Sequence, residues 1–156
     1  MHRSAKGFTL IELLVALLLI GLITSAAAPV MQLTAKRNKE QELKKNLWQI
    51  RDAIDAYKLA VEDGLIKASP DTSGYPPTLQ SLVSGVENVQ HPKKQKIYFL
   101  RRIPRDPFAI DQTLPAEQSW GKRSYDGDTS ATAEDVYDVY SLSSEIGINQ
   151  LPYKDW

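Results

Sequence analysis

The hydrophobic pattern changes once, sharply, in the first third of the chain. Residues 13–23 read LLVALLLIGLI without a polar interruption, and the wider stretch 8–31 holds only Thr9, Glu12, Thr24 and Ser25 as polar residues. Further on, Leu43, Leu47, Ile50, Ile54, Tyr57 and Val61 recur at spacings of 4, 3, 4, 3 and 4. That is one stripe of an amphipathic helix, with Lys44, Lys45, Arg51, Asp52, Asp55 and Lys58 on its other faces. The two patterns together predict one long helix from about Phe8 to Asp63, apolar in its first half and amphipathic in its second. Pro29 removes a backbone bond and clashes with the preceding turn, which predicts a kink or local melting there. Gly64 is the expected stop. The stripe is expected to pack against the chain's own sheet, with a free coiled coil as the alternative.

The remainder is short-period and turn-rich. Residues 69–77 (SPDTSGYPP) read as a loop, and residues 78–83 as a short helix capped by Thr78 and ended by Gly85. Ile97-Tyr98-Phe99-Leu100 is a short apolar segment, Asp106-Pro107 marks a turn, and residues 109–135 are polar and turn-rich. Residues 136–142 (VYDVYSL) are rich in β-branched and aromatic side chains and make the best strand in the chain. Trp156 is expected to tuck onto the domain. The predicted class is α+β: a long N-terminal helix packed on a small antiparallel β-sheet.

As a helix, residues 8–31 would be about 36 Å long, enough for a hydrocarbon core of about 30 Å. Arg3 and Lys6 precede the run with no acid, which places the N-terminus on the cytoplasmic side. Lys36, Arg37, Lys39, Lys44 and Lys45 follow it, diluted by Glu40 and Glu42. Three readings compete. The segment is a secretory signal peptide with Ala26-Ala27-Ala28 as the cleavage site, a plain anchor, or an assembly helix in which Glu12 matters. A carboxylate inside an apolar run costs about 2.5–3.5 kcal/mol at the membrane centre and calls for a partner. A free α-amino group is a candidate.

Lys6-Gly7-Phe8-Thr9-Leu10-Ile11-Glu12, followed by the apolar run, resembles the processing signature of type IV pilin-like proteins. The resemblance implies cleavage by a prepilin peptidase between Gly7 and Phe8, N-methylation of Phe8, and retention of the apolar helix. It supplies Glu12 with a partner, the Phe8 amine of a neighbouring subunit, and such proteins often carry a proline at the position of Pro29. Gly74-Tyr75-Pro76-Pro77-Thr78-Leu79-Gln80-Ser81-Leu82, Arg102-Ile103-Pro104-Arg105-Asp106-Pro107-Phe108, Trp120-Gly121 and Asp138-Val139-Tyr140-Ser141-Leu142 follow in the order found in the major, G-type pseudopilins of type II secretion systems. The implied fold is pilin-like. Residues 1–7 form a leader, 8–31 a transmembrane and filament-core helix, and 32–156 a periplasmic globular domain that includes the second half of the helix.

The implied role is a structural subunit, not an enzyme. It waits in the inner membrane against lipid, self-associates into a helical filament, and meets the prepilin peptidase/methyltransferase, other pseudopilins and the secretion platform. An adhesive, motility or DNA-uptake type IV pilin is the alternative, and a membrane-anchored or exported enzyme a further one. Such pseudopilins usually follow the Tyr-Ser-Leu block with a Gly- and Asp-rich calcium loop. Here residues 143–150 (SSEIGINQ) hold one carboxylate, where a hard cation wants six to eight oxygens. Asp126, Asp128, Glu134, Asp135, Asp138 and Asp155 are the nearby candidates, without EF-hand spacing. The expectation is therefore no cofactor and no metal ligands, with calcium as the one candidate. Many type IV pilins close a C-terminal loop with a disulfide, so a cysteine-free chain leans toward the pseudopilin branch.

Composition adds exclusions. The 156 residues carry 19 Lys+Arg and 19 Asp+Glu, a net charge of zero, which removes the electrostatic basis for binding nucleic acid. With no cysteine, thiolate metal sites and a cysteine nucleophile are excluded. Of two histidines, only His91 lies beyond the first few residues, beside Pro92 and a lysine pair, and it reads as a loop histidine. The zero net charge hides segregation: residues 91–105 hold six Lys/Arg and no acid, whereas residues 125–156 hold seven acids against Lys154. Loss of residues 1–7 leaves 17 basic and 19 acidic side chains, a net of −2. The two runs are either solvated or meet across neighbouring subunits, where repetition multiplies a small term and sets register.

Overall fold

The structure, a computed structural model, describes residues 7–67, 72–111, 113–127 and 135–156, with the side chains of 26–29 left out. Packing divides the chain into two units, Met1–Asn38 and Lys39–Trp156. Helix α1 runs from Leu10 to Glu62. Its backbone stays helical through position 29, so of the kink or local melting expected at Pro29 the melting is not seen. A proline forfeits one i→i−4 bond, and the neighbouring turns carry the helix past it. The side chains of Pro29 and Ala26-Ala27-Ala28 lie outside the described set.

In the unit Lys39–Trp156 the predicted stripe is the core. Leu43, Leu47, Ile50 and Ile54 are 0–2% exposed, Tyr57 is buried, and Val61 packs at the edge. Across from them lie Ile66, Leu79, Leu82, Leu100, Phe108, Trp120, Val136, Val139 and Tyr153. The stripe therefore packs within its own chain. Gly64 follows the helix with φ 70, the left-handed stop that a side chain would resist.

Helix α2, Leu79–Ser84, starts where Thr78 accepts the Ser81 N–H at 3.2 Å and ends at Gly85. The strands form two separate antiparallel ribbons rather than one sheet. β1 (Val86–Glu87) pairs with β2 (Lys96–Ile97), and β3 (Trp120–Arg123) with β4 (Asp138–Ser141) in the register Trp120↔Ser141 to Arg123↔Asp138. The predicted strand 136–142 is shortened at its start, where the Val136 N–H donates to Pro76 O, off the ladder, and the Tyr137 N–H to Arg123 O at the ladder's end. Residues 109–135, expected to be turns, contain β3, which exists through its partner β4. Gly121 is required there: a Cβ would stand 2.3 Å from the Tyr140 ring that lies across it. Trp156 is tucked as expected, edge-on to Tyr153 at 5.1 Å with Lys44 Nζ 4.7 Å from its ring centre.

Candidate functional site

The processing segment comes first. Gly7, Phe8 and Thr9 precede α1, and Phe8 is 83% exposed. A Cβ at Gly7 would meet nothing within 4 Å, and its φ lies outside the left-handed region. The described chain itself makes no demand for glycine there. Glu12 folds back on the helix start: its own N–H donates to Thr9 Oγ1 at 3.3 Å, and its carboxylate accepts from Thr9 Oγ1 at 3.4 Å and Thr9 N at 3.5 Å. This is a capping box on Thr-x-x-Glu, a role the charge-based reading of Glu12 missed although the four-residue signature is legible. The contacts are long, so the cap holds the carboxylate loosely.

The helix behind it has no cover. Fifteen large apolar side chains between Phe8 and Leu33 are 44–83% exposed. Burying each is worth about 1.5–3 kcal/mol, so together they exceed the ~5–15 kcal/mol net stability of an ordinary domain. Two hydroxyls of the helix bond back onto its own backbone: Thr24 Oγ1 donates to Ile20 O, and Thr34 Oγ1 to Val30 O at 2.9 Å. Such back-bonding hides a hydroxyl from a lipid environment. Among the described residues α1 is the one helix long and apolar enough to cross a membrane.

The second unit carries the charges, and the structure redraws them. Asp135 is buried. Its carboxylate accepts from Ser124 Oγ at 2.6 Å, Tyr125 N at 3.0 Å and Ser73 Oγ. Burial pushes its carboxyl up, and the combined hydrogen bonds from Ser124, Ser73 and Tyr125 outweigh that and leave it below the usual range. Asp138 receives Arg51 and Arg123. Two of the seven C-terminal acids are thus spent inside the chain, which corrects the picture of a wholly solvated or wholly intermolecular acidic run. Arg51, Lys44 and Lys58 are likewise not solvent-facing charges alone, because Arg51 joins Asp138, Lys44 covers Trp156, and Lys58 donates to Ser73 O at 2.9 Å. Arg101 and Arg102 in the basic run are exposed, and so are Asp52 and Asp55 on α1.

The candidate metal ligands do not converge. Asp126 and Asp155 are exposed, Asp135 and Asp138 have the partners above, and Asp128 and Glu134 lie outside the described residues. No group of three or more His, Asp or Glu placed to hold a metal occurs among the described residues. His91 closes its own loop, its Nδ1 accepting the Lys93 N–H at 3.3 Å.

The C-terminal segment is held instead by α1. Glu40 Oε1 accepts the Ile148 N–H at 2.7 Å and the Tyr153 hydroxyl at 2.9 Å. Tyr153 is fully buried, stacked on Phe108 at 4.1 Å, and its hydroxyl is pushed well above the ordinary tyrosine range by burial and then by Glu40. Buried Asp106 joins three segments: its carboxylate accepts the Phe108 N–H at 2.8 Å and the Ser141 hydroxyl, and its own N–H donates to Ser119 Oγ at 3.1 Å. Burial raises its carboxyl against those two hydrogen bonds.

Residues 2–28 match the family model of the prokaryotic N-terminal methylation motif. The chain is similar to the type II secretion system core protein G of Klebsiella pneumoniae, 30% identical over 116 residues covering 72% of this chain and 75% of the relative. It is also similar to the proteins of that name from Dickeya chrysanthemi, 27% identical over 126 residues (78% and 75%), and Escherichia coli K12, 29% over 113 residues (70% and 70%). No solved structure matches the chain significantly.

Proposed function

Because this chain belongs to the family of the type II secretion system core protein G, we propose that it is a structural subunit of the type II secretion pseudopilus, working as follows. Prepilin peptidase cleaves it between Gly7 and Phe8, Phe8 is N-methylated, and the product polymerises into a periplasmic filament that drives protein secretion. Before assembly residues 8–31 hold it in the inner membrane, with the N-terminus cytoplasmic and the globular domain periplasmic.

The observation that carries this reading is the bare apolar helix directly behind a methylation motif. In water it would be prohibitive. Lipid covers it in one state, and the same helix of other copies in the next. A heterologous contact of that kind repeats without closing and generates a helix of subunits. Gly7 supports the cleavage step, since neither crowding nor backbone conformation in the chain calls for it. Glu12 supports the assembly step. Its capping contacts are long, at 3.3–3.5 Å, and an ion pair with the Phe8 amine of a neighbour, in which donor and acceptor are both charged and the contact is shorter, outcompetes them.

The reading is tested by the intact mass and N-terminal sequence of the protein from native membranes. A chain starting at Phe8 with one added methyl group is expected. A chain starting near Pro29 would mean an ordinary signal peptide and would end the assembly reading. Electron microscopy separates the second reading, a type IV pilin: short, periplasm-confined filaments are expected, and long surface filaments would favour the pilin.

A further inference from the structure

Residues 143–150 depart from the calcium loop that the resemblance implied, and a different device holds the chain that follows them. Arg51 from α1 and Arg123 from the end of β3 converge on the Asp138 carboxylate at the start of β4. Arg51 Nε–H donates to Oδ1 at 2.7 Å and Arg123 Nη1–H to Oδ2 at 3.1 Å. Their remaining N–H groups reach main-chain oxygens. Arg51 Nη2 donates to Trp156 O at 2.8 Å and Val139 O at 3.2 Å, and Arg123 Nη2 to Lys154 O at 3.0 Å. The Arg123 guanidinium also lies 4.6 Å from the centre of the Tyr140 ring.

Two carboxylate and three main-chain oxygens are therefore gathered around positive charge. An all-oxygen set of this kind is what a hard divalent cation takes. Here the positive charge is supplied by two planar forks whose donors match the oxygens one by one. Both oxygens of the Asp138 carboxylate and the three main-chain oxygens are already engaged by the two guanidinium groups, so a further cation would have to displace them. A second tie, independent of the first, runs from Glu40 to Ile148 N and Tyr153 OH. Glu145, the one acid of residues 143–150, is exposed, and its carbonyl accepts the Tyr153 N–H at 3.2 Å.

We propose that this guanidinium clamp closes the C-terminal segment in place of a bound divalent cation, so that the chain reaches and keeps its native fold without calcium. The clamp is a property of the folded domain and stands whether or not the cleavage and filament reading holds.

The test uses the full-length protein in detergent micelles, with calcium chloride or EGTA. Thermal unfolding is followed by tryptophan fluorescence, and trypsin cleavage beyond residue 143 by mass spectrometry. The wild-type Tm is expected to differ by less than about 2 °C between the two conditions. Arg51→Met, which keeps the aliphatic stem and loses the fork, is expected to lower Tm by several degrees and to speed cleavage at Lys154 at least about tenfold in both conditions, with Arg51→Lys in between. Should Arg51→Met fail to fold, Arg123→Met, which removes the other guanidinium of the clamp, is read the same way. A wild-type Tm raised by about 2 °C or more in calcium would overturn the proposal. So would calorimetric calcium binding tighter than about 1 mM, or arginine variants that match the wild type in Tm and cleavage.

Discussion

Removing the Glu40 carboxylate is the sharpest probe of what holds the C-terminal segment. Glu40 is 9% exposed and Tyr153 0%, so their 2.9 Å bond is a buried hydrogen bond to a charged acceptor. Such a bond contributes about 1.5–3 kcal/mol, and the half-buried bond from the Ile148 N–H about 0.5–1.5 kcal/mol. Glu40→Ala is therefore expected to destabilise by about 2–4 kcal/mol, which for a unit of this size lowers Tm by roughly 6–16 °C. Glu40→Gln keeps an acceptor and loses the charge, so it should recover about half of that. Tyr153→Phe removes the donor and leaves the Phe108 stacking in place. The assay is reversible urea unfolding of the full chain in micelles, run as a double-mutant cycle. The cycle should return a coupling of at least about 1 kcal/mol between positions 40 and 153. A coupling below about 0.3 kcal/mol would refute the reasoning, because the segment would then be held by packing alone.

Two buried carboxylates should show opposite pH trends. Asp135 has a lowered carboxyl, so its contribution is present above the unfolded value of about 3.9 and is lost as pH falls through its folded value. The deficit of Asp135→Asn measured by urea unfolding should thus be largest near neutral pH and shrink on acidification. Asp106 has a raised carboxyl, so parent stability from this group falls as pH rises through its folded value, and Asp106→Asn should gain relative to the parent from pH 4 to 7. Gly121→Ala drives a Cβ into the Tyr140 ring and is expected to destabilise by about 1–3 kcal/mol in the same assay. Joint reversal of exposed Arg101 and Arg102 to Glu should leave the monomer Tm within about 1 °C. It should cut filament yield, counted by electron microscopy, at least about tenfold where the basic run meets the acidic run of a neighbouring subunit, in which Asp126, Glu145 and Asp155 are exposed.

What the sequence made legible was whatever is local. The 4, 3, 4, 3, 4 spacing from Leu43 to Val61 sets a helical face whatever it packs against, and those residues are the core. Thr78 and Gly85 announce the ends of α2 because capping is settled within a few bonds. The apolar run needs no partner to be recognised. Strand β3 was hidden because Gly121, Lys122 and Arg123 are poor strand formers, and only the ladder to residues 138–141 makes them a strand. Arg51 reads as part of a charged helix face, and Glu40 as a dilution of the basic residues behind the apolar run. Their partners lie 87 to 113 positions away, so nothing local distinguishes them from Lys45 or Asp52. The clamp could be found only by folding the chain.

Exchange of lipid for neighbouring helices trades one apolar surface for another, so the hydrophobic effect nearly cancels between the membrane and filament states. Discrimination then falls to polar groups such as Glu12 and to how closely the backbones approach. Gly21 is informative here. It sits inside α1, where glycine costs about 0.8–1 kcal/mol relative to alanine, and a Cβ there would meet nothing within 4 Å. If the single chain were the whole story, Gly21→Leu would be a benign or stabilising change in the helix. If a neighbouring helix passes close at that level in the filament, leucine props the two apart and loses contacts along the seam. Gly21→Leu should therefore insert into the membrane and be cleaved like the parent, yet fail to assemble, while Gly21→Ala assembles at reduced yield. Mass spectrometry of the membrane fraction reads the first step and electron microscopy the second. Normal filaments from a correctly processed Gly21→Leu chain would show that the helices do not approach closely at Gly21, and the selectivity of assembly would then have to come from Glu12 and from the charges of the globular unit.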